Sequence, residues 1–262
     1  VRDGVWIVCY HLHYYLSEVE RLIDNIHHFV ISMLYRNMIN TAMRLDEILL
    51  AEKSLNKPLV VVDVQPAYSG IMDGVDDAHF EEIIQFVSST RGPVLMFVNA
   101  EQDGLTSDTV QDVKVYWEDS GFDPAQWSRV KIVDKGYGYL RSWMDQGVHP
   151  RIIIQTTREM YRQKVYDSRQ LFNGDEDELL AFVKNICNGR LYAYCPAPSV
   201  ITGDSISVGW AAIDQLRRFN DCYICGGGAN ECLREVTILM NAFNIKYTVL
   251  QDYVYGGVYT QT

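Results

Sequence analysis

The chain has 262 residues, 48% of them apolar and 22% charged, which suits a globular protein able to bury a core without disulfide or metal staples and excludes a fibre or a mainly disordered chain. Its 23 basic and 34 acidic side chains leave a net charge of −11, the wrong sign for a generic binder of phosphate backbones, so no nucleic-acid partner is expected. No apolar run reaches the roughly 18 residues of a membrane span, and His11, His13, Glu18 and Glu20 interrupt the early apolar stretch where a signal peptide would be continuous.

Residues 10–53 read as helical. Leu12, Leu16, Val19, Ile23, Ile26, Val30 and Met33 recur at alternating spacings of four and three, a heptad seam that fades at Asn37 and Asn40. Two readings stand: an arm that builds a homo-oligomer, and a helix pair packed on its own domain. His11, His13, His27 and His28 fall on the polar or flanking faces, as solvated groups do. Residues 1–57 are therefore expected to form a helical extension, ended by Lys57-Pro58.

Beyond it, Leu59-Val60-Val61-Val62-Asp63-Val64 is a continuous β-branched run of the kind buried in parallel sheets. Phe80, Ile83, Ile84 and Val87 follow at helical spacing. Val94 to Val98 reads as a second buried strand and Val130 to Val133 as a third, followed by the helical stripe Leu140, Trp143 and Met144. Helices are expected over 152–169 and 176–187. Tyr223 to Cys225 ends a strand that runs into glycines, a helix from about Asn230 carries Val236, Leu239, Met240 and Phe243, and Lys246 to Leu250 reads as the last strand. This alternation predicts an α/β fold, a Rossmann-like three-layer sandwich with a mostly parallel sheet.

The six cysteines are Cys9, Cys187, Cys195, Cys222, Cys225 and Cys232. A chain of this length needs no disulfide framework, so a reduced, cytoplasmic setting is expected. Cys222 and Cys225 form a C-x-x-C on a strand, where residues three apart face opposite sides. No second pair completes four zinc ligands, and the two read as buried structural thiols.

In parallel α/β sheets chemistry gathers at the carboxyl ends of the strands. Asp63, Lys135 and Cys232 all fall there. Cys232 follows Gly226-Gly227-Gly228 at a helix start, where unpaired N–H groups and the dipole favour a thiolate and can hold an oxyanion. A thiol pKa below the ordinary value is therefore expected. Asp63 is placed to carry a proton, and Lys135 to stabilise negative charge.

Leu59 to Gln65 resembles the opening strand motif of the isochorismatase-like cysteine hydrolases, which include nicotinamidases and N-carbamoylsarcosine amidohydrolase. Gly226-Gly227-Gly228-Ala229-Asn230-Glu231-Cys232-Leu233 is similar to that family's nucleophile turn. Val130-Lys131-Ile132-Val133-Asp134-Lys135 is similar to its lysine strand, with Tyr137 and Tyr139 in the aromatic stretch that follows. The matched segments cover about 58–148 and 218–255 of a hydrolase domain over 58–262. The resemblance implies a triad of Asp63, Lys135 and Cys232. It also implies an oxyanion hole from the backbone N–H groups of Gly228 and Cys232, with a cis peptide bond just before Gly228.

The chain departs from the family in three places. Lys135 and Cys232 are 97 residues apart, which implies an insertion at about 149–215. A second alignment takes Ser207-Val208-Gly209-Trp210 as the segment after the family lysine and leaves that place without a Lys. Asn99-Ala100-Glu101-Gln102-Asp103 contains no His, whereas nicotinamidases carry there an Asp and two His that bind a metal; neither metal nor cofactor is implied. Arg158, Arg162 and Arg169 are either binders of a substrate carboxylate or solvated, ion-paired groups near the acidic run Asp175–Glu178. No role attaches to His79 or His149.

The function these features imply is hydrolysis of a C–N bond in a small amide or carbamoyl substrate through a Cys232 thioester. A non-catalytic oligomeric scaffold on the same fold is the alternative. A phosphate binder at the glycine turn ranks last, because the turn lacks a Walker lysine and spaced dinucleotide glycines.

Overall fold

The computed structural model of the chain describes residues 56–69, 77–99, 108–135 and 140–260. The heptad seam, its histidines, Cys9, Tyr137, Tyr139 and residues 100–103 lie outside that set. Five strands form one sheet: β1 (Leu59–Val62), β2 (Val94–Val98), β3 (Val130–Asp134), β4 (Cys222–Gly226) and β5 (Tyr247–Val254). Their order is β3-β2-β1-β4-β5 and every pairing is parallel. The three central strands β2, β1 and β4 are apolar on both sides because both faces are covered, whereas the edge strands β3 and β5 carry Lys131, Asp134, Gln251 and Asp252.

On one face Leu59, Val61, Val94, Met96, Val98 and Cys225 pack with Phe80, Ile83, Ile84 and Val87 of α1 (Asp77–Ser89) and Val113 and Trp117 of α2 (Val110–Asp119). On the other, Val60, Val62, Leu95, Phe97 and Ile224 pack with Trp143 of α3 (Arg141–Asp145), Ile152, Ile153 and Met160 of α4 (Pro150–Gln163), Leu179 and Val183 of α5 (Glu176–Ile186), and Leu233 and Val236 of α8 (Cys232–Ala242). The molecule is thus an α/β three-layer sandwich on an all-parallel sheet. Cys222 and Cys225 enter opposite cores, as the strand period requires.

Residues 149–215 are helical throughout their regular parts and add to the second core. Besides α4 and α5 they form α6 (Ser199–Gly203) and α7, Trp210–Leu216, whose last residue stands just beyond. The helix expected over 152–169 stops at Gln163, because Lys164 turns left-handed (φ 57°) and Asp167 then caps a separate 3-10 segment, Ser168–Gly174. The helix α2 has a legible start that its weak apolar stripe hides. Thr109 accepts from the Asp112 N–H at 3.2 Å and donates its own N–H to Asp112 Oδ2 at 2.8 Å, a capping box.

Candidate active site

The strand order reverses between β1, whose successors β2 and β3 lie on one side, and β4 on the other. Crevices at such reversals, beyond the carboxyl ends of the strands, are the ligand sites of open α/β sheets. Asp63 leaves β1 and the glycine turn leaves β4 at this point, held in register by Val62 opposite Gly226.

Asp63 sits in the left-handed region (φ 52°), which Asp tolerates better than most residues. Its backbone is clamped from two sides: its N–H donates to Phe97 O at 2.9 Å, and the Tyr255 hydroxyl donates to its carbonyl at 2.6 Å. Gln65, also buried, ties the end of β1 to the end of β2, donating to Asn99 O at 2.9 Å and accepting from Asn99 N at 2.8 Å. The Asn99 amide in turn donates to the Tyr68 hydroxyl at 2.6 Å.

β3 delivers Lys135 to the same place. Its N–H donates to Val98 O, and its ammonium stands 3.0 Å from Asp63 Oδ2 and 3.8 Å from Glu235 Oε2, with all three side chains 1% exposed. The rival segment Ser207–Trp210 supplies no strand: Ser207 bridges Asp167, Val208 N–H donates to Tyr166 O, and Trp210 opens α7. Cys232, half-buried at the first position of α8, interacts electrostatically with Asp63, Lys135 and Glu235. The structure therefore brings Asp63, Lys135 and Cys232 to one place.

The glycine turn is forced by space. A Cβ on Gly226 would lie 2.2 Å from Val62 O, and one on Gly228 would lie 3.2 Å from the Cys232 nitrogen; both residues have positive φ, +100° and +52°. No cis peptide bond occurs among the described residues, which corrects the expected cis bond before Gly228. The chain reverses through the two left-handed glycines instead. Among the described residues the N–H groups of Gly228 and Cys232 find no backbone acceptor, while neighbouring Gly227 and Leu233 donate to Val62 O and Gly227 O.

The electrostatics reverse one expectation. Burial pushes the Cys232 thiol well above its ordinary pKa, the Asp63 charge pushes it further, and the opposing pull of Lys135 does not compensate. Desolvation of an anion outweighs one shared ammonium, so the resting site holds a neutral thiol. Burial also works against the Lys135 charge, but Asp63, the Cys232 sulfur and Glu235 together raise its pKa above the ordinary value. Lys135 remains an ammonium. The Asp63 carboxylate is thus held between the Lys135 ammonium and the Cys232 thiol, each of which it engages as a hydrogen-bond partner.

Sequence reasoning passed over Glu235, although a helical residue three after Cys232 shares its face. It also passed over Tyr255, which no local pattern could place against Asp63 across 192 positions. Arg158, Arg162 and Arg169 are engaged within the protein. Arg158 donates to Ala242 O at 2.6 Å, Asn241 O at 3.0 Å and Asn244 Oδ1 at 2.9 Å, closing the C-terminal end of α8. Arg162 pairs with Glu159 and Arg169 with Asp167. His149 caps α4 by accepting from Arg151 N–H at 3.1 Å. Among the described residues no group of three or more His, Cys, Asp or Glu could hold a metal ion, and no helix is long and apolar enough to cross a membrane.

The fold and this site define an α/β protein with a buried acid–lysine pair beside a thiol at the switch point of its sheet. Compared with protein-family models, curated proteins and solved structures, the chain matches none.

Proposed function

We propose that the chain is a cysteine hydrolase that cleaves the C–N bond of a small amide or carbamoyl substrate. The observation that carries this reading is the buried Asp63–Lys135 pair, 3.0 Å apart, set against the half-buried Cys232 at a helix start. A purely structural core has little use for such a cluster, since an apolar replacement is often as stable.

Because the thiol is neutral at rest, Asp63 takes its proton as the sulfur attacks the carbonyl carbon. The carbonyl oxygen becomes an oxyanion, received by the N–H groups of Gly228 and Cys232. Asp63 passes the proton to the leaving nitrogen, the C–N bond breaks, and an acyl thioester remains on Cys232. Asp63 then takes a proton from water, hydroxide adds to the thioester, and collapse of the second intermediate returns the proton to sulfur. Lys135 stays charged throughout and steadies Asp63 in both states. The same reading places the protein in the reducing cytoplasm, as a homo-oligomer joined through its N-terminal helices.

The test is a panel of primary amides and N-carbamoyl compounds, assayed for released ammonia, with quenched samples analysed by mass spectrometry. An acyl adduct on Cys232 is expected, together with loss of turnover in Cys232→Ala and in Asp63→Asn. Turnover that survives Cys232→Ala overturns the reading.

A further inference from the structure

Glu235 lies one helical turn beyond Cys232 on α8 and is 1% exposed. Its two oxygens do different things. Oε1 accepts the N–H of Leu140, just ahead of α3, while Oε2 stands 3.8 Å from the Lys135 ammonium. One ammonium therefore faces two carboxylates and a thiol, each able to carry negative charge. Burial raises the Glu235 pKa above the ordinary carboxylate value, Lys135 and the Leu140 N–H pull it back, and the Leu140 contact alone would be served by an amide.

We propose that Glu235 is a positioning residue that restrains the nucleophile: it shares the Lys135 ammonium with Asp63 and so limits how far that one charge serves Cys232 before substrate arrives. This rests on reading Cys232 as the nucleophile. The charged and titratable groups that bear on Glu235 are Lys135, Asp63 and Arg141; those that bear on Cys232 are Asp63, Lys135, Glu235, Tyr68 and Tyr255. Of these only Lys135 and Arg141 are cations, and Arg141 is already paired with Glu231 at 2.9 Å. Among the described residues Lys135 is thus the cation bearing directly on the thiol. Anything that draws on its charge holds the thiol in its neutral form, which also protects it from oxidation, since the thiolate is the reactive species.

The experiment follows iodoacetamide labelling of Cys232 against pH, by peptide mass spectrometry, in the full-length protein. Glu235→Gln keeps an acceptor for Leu140 and removes the charge. It should lower the midpoint of labelling and speed labelling at a fixed pH below that midpoint by about tenfold, the effect of one buried charge within reach. Glu235→Ala, read the same way, should also speed labelling and serves if the Gln variant does not fold. An unchanged or slower rate in a folded variant overturns the proposal. Failure of the hydrolase reading is seen separately, as absent turnover with the labelling shift intact.

Discussion

Lys135 is among the largest fully buried side chains of the protein, and its value depends on its partners. The attraction between an ammonium and a carboxylate offsets desolvation only while both are present. Lys135→Met should strand Asp63 and Glu235 and cost about 3–5 kcal/mol, measured as a lower urea midpoint. A cost below about 1 kcal/mol would mean that the two carboxyl groups bind protons instead. The thiol follows the same logic with the opposite sign. Its helix-start position predicted an acidic group, but burial and Asp63 outweigh that tendency. The residue type and its place in the chain were legible; the balance of charge around it depended on three segments meeting.

At the scale of elements, the glycine turn between β4 and α8 is the most constrained piece. Gly227 N–H donates to Val62 O at 2.6 Å, and Ala229 N–H to Tyr255 O at 2.9 Å, so the turn is threaded between β1 and the end of β5. Gly226→Ala places a methyl group against backbone that cannot retreat and should cost more than about 4 kcal/mol, seen as a loss of cooperative thermal unfolding or of soluble protein. Gly203→Ala is the control: no atom lies within 4 Å of the added carbon, and in α6 the change should be neutral or stabilising by about 0.5–1 kcal/mol. A Gly226 variant as stable as the Gly203 one would contradict the turn geometry described above.

For the molecule as a whole, the sheet and its two cores organise the described residues, and the heptad seam upstream calls for a separate experiment. The heptad spacing predicts helices there, and isolated helices are marginal in water, so the seam is expected to pack against a partner. Deleting residues 1–57 should reduce the particle mass measured by light scattering from that of an oligomer to that of one chain. An unchanged number of chains per particle would overturn that expectation. With a net charge of −11, association is best measured at physiological salt, where repulsion between acidic surfaces is screened.

The sequence by itself determined the strands, because Leu59–Val62, Val94–Val98 and Cys222–Gly226 are apolar on both sides and only a sheet covered on two faces can hold them. It also marked Asp63, Lys135 and Cys232, since each stands where an apolar strand stops or a glycine turn becomes a helix. Only the tertiary structure set Lys135 beside Asp63, by pairing Val130–Asp134 with β2, while Ser207–Trp210 forms no strand. It alone seated Glu235 against Lys135 and Tyr255 against Asp63. The physical reason is range: strand and helix signals are carried by neighbours a few residues apart, whereas the protonation of a buried thiol is set by charges that the chain brings together from about 100 to 170 positions away.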